Sequence, residues 1–404
     1  MPRSLPNARP KPLPEALPDC DVLIVGGGPA GLSVASALPP QVRSVIVHQD
    51  KEIGLPVRTS GVSWLADVQA LGLPEACYHP IYRTDIYSDH ETAHFEITSH
   101  TVVALDVTAT YRHLASLSED HERRLLLNTK YRGSRHEGGQ IVSRLRTPEG
   151  EKTLRARYLV DASGWHCAAL QSLGLAQPPR RRAVGIEYEY PLQDMDPHRV
   201  VLFFGRHALS AYGWALPTGA GTVRLGIGII QPDSTASPKE LMEGFLASGE
   251  LERMGLPRPG DGMHVNAGIL PSAPYERQLV YGNVIRVGDS ANMATPTLGE
   301  GIRTAIASGR ELGTALGAAV AGNETALARY ERDSAKRYER NYQFGFLTNS
   351  RAAAYGPDDW DRAVRRIRRL DEASLAAAFR SEFTWPMIAR TMAKSAWSKL
   401  RGRS

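Results

Sequence analysis

The sequence predicts an α/β fold in which a nucleotide-binding lobe is interrupted by a mainly antiparallel sheet and followed by a helical C-terminal region. Three observations carry this expectation. An apolar run, Val22 to Val25, leads into Gly26-Gly27-Gly28-Pro29-Ala30-Gly31 and on into an apolar stretch, Leu32 to Leu38, which reads as strand, tight turn and helix of a Rossmann-type unit. Further on, Val184, Ile186, Tyr188 and Tyr190 alternate with polar or small residues, and 200–205 and 223–230 follow with turns between, the period-two pattern of antiparallel strands. Finally, Val284 to Val287 runs into Gly288-Asp289 and then into an Ala-rich helix over roughly 302–320, where the nucleotide lobe resumes.

Length and composition bound the reading. The chain's 404 residues exceed the usual size of one domain, so two lobes are expected. Hydrophobic residues at 42% and charged residues at 23% are globular values, which excludes a disordered or fibrous protein. The formal net charge is +5, and 361–404 alone hold eleven Lys or Arg against four Asp or Glu. The basicity is therefore a C-terminal property. Three cysteines, Cys20, Cys77 and Cys167, show no C-x-x-C spacing, which points away from zinc and toward a reducing, cytoplasmic setting. No apolar stretch approaches the roughly 20 residues of a membrane span, and no secretory h-region opens the chain.

Taken in order, residues 1–18 carry six prolines with Arg3, Arg9 and Lys11 and read as a disordered tail. Residues 19–80 form the first part of the nucleotide lobe. Val45-Ile46-Val47 supplies its second strand, and Pro39-Pro40 stops the intervening helix. A substrate-domain segment is expected at 81–100, the second part of the lobe at 101–175, the antiparallel substrate domain at 176–275, the third part of the lobe at 276–322 and helices over 323–404.

The glycines have separate tasks in Gly26-x-Gly28-x-x-Gly31. Gly26 permits the turn, Gly28 lets backbone approach phosphate, and Gly31 lets helix pack on strand. Pro29 and Ala30 begin the helix, whose bare N–H groups and dipole favour a pyrophosphate. The acidic ribose ligand should end the second strand, where this chain has Gln49 with Asp50 beside it. Gln49 can accept from a ribose hydroxyl, and Asp50 can substitute with a small shift.

Two more segments follow in order: Tyr158-Leu159-Val160-Asp161-Ala162-Ser163-Gly164, and Val287-Gly288-Asp289 continuing through Pro296-Thr297-Leu298-Gly299-Glu300-Gly301-Ile302. With the first fingerprint, this set resembles the FAD enzymes of the p-hydroxybenzoate hydroxylase fold, in the form used by geranylgeranyl reductase-like enzymes. The resemblance covers about 20–320. It implies FAD as cofactor, held by Gly26, Gly28, Pro29, Ala30, Gly31, Gln49, Asp50, Arg58, Asp161, Gly164, Gly288, Asp289, Pro296, Gly299, Glu300, Gly301 and Ile302. Asp289 would accept from ribityl hydroxyls, and the helix start at Gly299 and Gly301 would favour an anionic reduced flavin.

The segment ending Pro56-Val57-Arg58-Thr59 also looks like the reductase family, which commonly carries Cys where this chain has Thr59. Arg58 suits bidentate phosphate recognition. Tyr212-Gly213-Trp214-Ala215-Leu216-Pro217 with Leu225-Gly226-Ile227-Gly228 is similar to a strand pair of the reductases' substrate domain, although both aromatics also suit a plain sheet core. Thr59, Tyr212, Trp214 and Thr297 are the candidates for catalysis. A halogenase is disfavoured, because the lysine and the Phe/Pro/Ser/Gly pattern of such enzymes are missing.

The resemblance thus implies an FAD-dependent oxidoreductase that reduces C=C bonds of a lipophilic, isoprenoid-type substrate with hydride from flavin N5. No second Gly-rich β-α-β unit is present, so NADPH or another electron donor would bind transiently. The alternative is a monooxygenase of small-molecule biosynthesis acting through a flavin hydroperoxide, and a third option is a lycopene cyclase-like isomerase. A nucleic-acid binder is argued against, since the arginines near 365–369 lack interleaved aromatics. Trp385, Ile388, Met392 and Leu400 fall on one arc of a basic helix, so 385–404 is expected either to meet an anionic membrane surface or to pack on the core. Neither the proton donor nor the oligomeric state is legible.

Overall fold

The computed structural model describes residues 19–118, 122–260 and 262–384. The readings of 1–18 and 385–404 lie outside these. The parallel part of the first sheet runs Val284–Arg286, Gly150–Asp161, Cys20–Val25, Ser44–Val47, Arg123–Leu126. The Cys20–Val25 strand is continuously apolar from Val22 to Val25 because both faces are covered there. Val22 and Ile24 belong to one core cluster, while Leu23 and Val25 belong to another. The strands Gln140–Thr147 and Lys130–Glu137 extend the sheet in antiparallel fashion.

Helix Pro29–Ala37 lies along helix Ile302–Val320 at very close range. Gly309, Gly313 and Gly317 make this approach feasible. A Cβ would stand 2.6 Å from the Ala30 carbonyl oxygen at Gly309, 2.3 Å from that of Val34 at Gly313, and 2.3 Å from Pro39 Cδ at Gly317. In sequence this stretch is legible as an Ala-rich helix, whereas the role of glycines at every fourth residue emerges only with the facing helix in place.

The second sheet has seven strands in the order His264–Pro271, Arg182–Pro191, Thr222–Gln231, Ala208–Pro217, Arg199–Gly205, Arg83–Tyr87, Thr92–Glu96. Its pairs are antiparallel except Arg199–Gly205 with Arg83–Tyr87. One face carries Tyr188, Tyr190, Leu225 and Ile227 against Met242 and Phe245 of helix Pro238–Ala247. The opposite face, with Gly185 and Glu187, looks toward the first sheet rather than toward water.

A small third sheet, Val62–Trp64, Val102–Leu105 and Tyr78–Ile81, joins the lobes. The chain then finishes in helices Ala326–Ala352, Pro357–Ile367 and Glu372–Phe379. Tyr338 and Tyr342 share one face of the first of these, packed on Tyr275 with ring centroids 6.3 and 6.2 Å away. Among the described residues no helix is long and apolar enough to cross a membrane.

Candidate functional site

One cavity of about 1140 Å³ opens between the two large sheets. The Gly26–Ala30 turn forms one end. Gly26 has φ +117, and a Cβ there would lie 2.1 Å from the Ala162 carbonyl oxygen, whereas a side chain at Gly28 would meet nothing within 4 Å. Gly28 is therefore bare backbone facing open space, in front of a helix whose N-cap has no side-chain partner. This is the arrangement an anion needs. Gly31 lies behind it, and a Cβ there would stand 2.0 Å from the Gly26 carbonyl oxygen.

Gln49 and Asp50 both line the cavity, but they are not equivalent. The Asp50 carboxylate is engaged by the Arg58 guanidinium at 2.7 and 3.1 Å, so the two expected ligands are each other's partners. His48 was missed. Burial holds its pKa below the ordinary value. The neutral ring accepts the Gly27 amide on Nδ1 at 3.3 Å and turns Nε2 toward Asp50 at 3.5 Å. A histidine at the end of a buried strand carries no spacing signal by which it could have been found.

Asp161 lines no part of the cavity. Its carboxylate accepts from Ser163, Ala169 and Leu170 amides at 3.1, 2.8 and 2.9 Å and from the Ser163 hydroxyl at 2.6 Å. It anchors the loop that presents Gly164, where φ is +72 and a side chain would meet nothing within 4 Å. Gly288 also lies outside the cavity, against Ala30, which a Cβ would approach to 2.8 Å.

Asp289 faces the cavity, and no hydrogen bond from a described residue reaches its carboxylate. Burial alone pushes its pKa up to about 6. Tyr111, also missed, stands nearby; burial first and the Asp289 charge second raise its phenol above the ordinary value, so it remains a neutral donor. At this end Gly299, Glu300, Gly301 and Ile302 line the wall, and helix Ile302–Val320 begins without a side-chain cap. Glu300 does not meet an incoming ligand as a free charge, because Arg303 pairs with it at 3.1 Å. Pro296 and Thr297 close this wall; Thr297 Oγ1 donates to the Phe379 carbonyl at 2.9 Å and pairs with Ser381 at 2.7 Å.

The sheet side of the cavity carries the remaining candidates. The Tyr212 hydroxyl donates to the Leu298 carbonyl at 2.5 Å, joining the second sheet to the 296–301 loop. Trp214 Nε1 donates to Glu187 Oε2 at 2.9 Å, Asn266 Nδ2 donates to Oε1 at 3.3 Å, and the Ser60 hydroxyl closes on the same carboxylate. Thr59 lines the wall next to Ser60. Glu187 was missed because the polar phase of an alternating strand reads as a water-facing one. Farther along the same sheet the cavity lining is apolar, with Val184, Leu202, Phe204, Ile230 and Leu270.

A dinucleotide fits these residues: bare amides at two uncapped helix starts for its phosphates and flavin ring, and an unpartnered carboxyl for its hydroxyls. Comparison with known proteins agrees. The chain is 26% identical over 339 residues to a digeranylgeranylglycerophospholipid reductase of Methanosphaera stadtmanae, covering 80% of this chain and 81% of that one. It is 25% identical over 371 residues to its counterpart in Thermoplasma acidophilum, covering 85% and 90%. In fold it is similar to a geranylgeranyl bacteriochlorophyll reductase-like protein of Thermoplasma acidophilum, with TM-score 0.80, 20% identity and 93% and 99% of the two chains covered. A p-nitrophenol 4-monooxygenase of Pseudomonas putida matches at TM-score 0.69 and 17% identity, over 91% and 100%. The profile described as "FAD binding domain" matches residues 19–345, so the chain belongs to that family and is an FAD-dependent oxidoreductase.

Proposed function

We propose that the protein reduces C=C bonds of a lipophilic, isoprenoid-type substrate, with the cavity-lining members of the expected set as its FAD contacts and with Gly31, Asp161 and Gly288, which lie outside the cavity, shaping the segments that carry them. The observation that carries this is the continuity of the cavity, which leads from the phosphate-binding turn into an apolar chamber under the second sheet. A long hydrocarbon chain is the ligand such a chamber fits. The names of the two curated relatives support the same substrate class. Bound and reduced, the flavin supplies a hydride at N5.

The chain's own residues do the rest. Gly28 would hold the cofactor's pyrophosphate and the Ile302 helix start its flavin ring, while Tyr212 closes the joint between sheet and loop and keeps water from the chamber. NADPH or another donor would bind only to deliver electrons, and 385–404 is the segment that would meet an anionic lipid surface. The deciding experiment photoreduces the protein without oxygen and adds a phospholipid carrying geranylgeranyl chains. Reoxidised flavin and a product heavier by two hydrogens are expected. An oxygenated product, formed only in air and with oxygen consumed, would instead make the protein a monooxygenase.

A further inference from the structure

Glu187 is a buried acid built into the chamber by strand register. Asn266, Glu187, Gly226 and Trp214 stand directly opposite one another across four neighbouring strands, so they share one face of the sheet. Gly226 is the reason the row works. A Cβ there would lie 2.1 Å from Trp214 Cε2, and its absence lets the indole cross the strand and reach the carboxylate. The Glu187 side chain is only 5% exposed, and it has three uncharged donors, Ser60, Trp214 and Asn266. The charged groups facing it are Arg224, with Nε 3.9 Å from Oε1, and Glu189, which takes that same Nε at 2.9 Å. None of the structural joints described above uses this cluster.

We infer that Glu187 is the acid that protonates the substrate alkene. The inference rests on the reductase reading. An isolated isoprenoid C=C bond has no electron-withdrawing group and does not accept hydride directly, so a proton must come first. The Glu187 O–H bond breaks, the alkene π pair forms a C–H bond at the less substituted carbon, and positive charge is left on the more substituted one. Hydride from the reduced flavin then closes the second C–H bond, leaving a saturated product and oxidised flavin. Glu187 regains its proton from water between turnovers.

The surroundings suit this sequence. The carboxylate left behind is an anion beside the cationic carbon at a site that is itself buried. The Ser60, Trp214 and Asn266 hydrogens are then already placed on the conjugate base.

The test uses full-length, FAD-loaded protein, photoreduced without oxygen and mixed with geranylgeranyl phospholipid in detergent micelles. Glu187→Gln should keep its flavin and its lipid-induced change in flavin absorbance, yet reoxidise at least about 100-fold more slowly. Glu187→Asp should recover part of the rate. A Glu187→Gln protein that reoxidises within about threefold of wild type overturns the assignment alone. A wild type that no polyprenyl lipid reoxidises overturns the reductase reading, and this assignment with it. Should Glu187→Gln lose its flavin, Glu187→Asp decides: a flavin-loaded Glu187→Asp protein that shows the lipid-induced absorbance change yet reoxidises clearly more slowly than wild type supports the assignment, and one within about threefold of wild type overturns it.

Discussion

Asp289 shows how a residue proposed for binding can work against the fold on its own. Burial takes its carboxyl from the ordinary 3.8 to about 6, so the folded chain holds this proton more tightly than the unfolded chain does. Stability is therefore lost as pH rises from about 4 to about 6 and stays lost above that, by an upper bound of about 3 kcal/mol, (6 − 3.8) × 1.36, lessened by the side chain's partial exposure. Donors on a bound ligand would relieve the penalty. Asp289→Asn is accordingly expected to raise the melting temperature of the flavin-free protein by roughly 2–4 °C at pH 8 and not at pH 4, while lowering flavin retention. Melting curves at both pH values check this, and a difference independent of pH would contradict it. Asp289 was legible because the Gly-Asp step is local in sequence. Glu187 was not, because its importance depends on what covers the second face of its strand. Likewise, Asp50 and Arg58 could each be named from the sequence, but not that they pair with one another.

Secondary-structure elements were readable where periodicity is strong, as in Cys20–Val25, Arg182–Pro191 and Ile302–Val320. Their mutual spacing was not. Whether Gly309, Gly313 and Gly317 matter is decided by the helix opposite, and a four-residue repeat of small residues gains meaning only when Ala30, Val34 and Pro39 are known to face it. Because both helices of this pair begin at the cavity, their separation sets the distance between the two cofactor-binding ends. Gly313→Val should cost about 1–3 kcal/mol through overpacking and lose flavin as well. Gly244→Ala, at a helical glycine with nothing within 4 Å, is the control and should not lower stability. Thermal unfolding with flavin quantitation separates the two, and a Gly313→Val protein with wild-type flavin affinity would refute the coupling.

Across the whole molecule, Glu372 ties the last described helix to the segment that leaves the edge strand Thr92–Glu96 of the second sheet. Glu372 accepts from the Ser99 and His100 amides at 2.8 and 2.6 Å and from Thr98 Oγ1 at 2.9 Å. Burial opposes its ionisation, but the amides of His100 and Ser99 and the Thr98 hydroxyl outweigh burial and bring the carboxyl down to about 2. With its folded pKa below the ordinary 4.5, the clamp is at full strength above pH 4.5 and is lost as pH falls toward 2. Glu372→Gln should therefore speed amide hydrogen exchange over 372–384 at pH 7 and leave the Cys20–Val25 strand unchanged; equal exchange in both proteins would count against the clamp.

The tie at Asp161 reaches further than the loop it shapes. Its carbonyl oxygen accepts the Ser290 hydroxyl at 2.6 Å and the Val287 amide at 3.1 Å, while the next carbonyl, that of Ala162, sits against Gly26. Three cofactor-facing segments, from the start, middle and late part of the chain, thus meet at one pair of peptide groups. During synthesis the first 175 residues can emerge and collapse, but the pocket cannot close until residue 302 has left the ribosome. Flavin capture is then a late event in the birth of the protein, and a chain broken off earlier has nowhere to keep its cofactor.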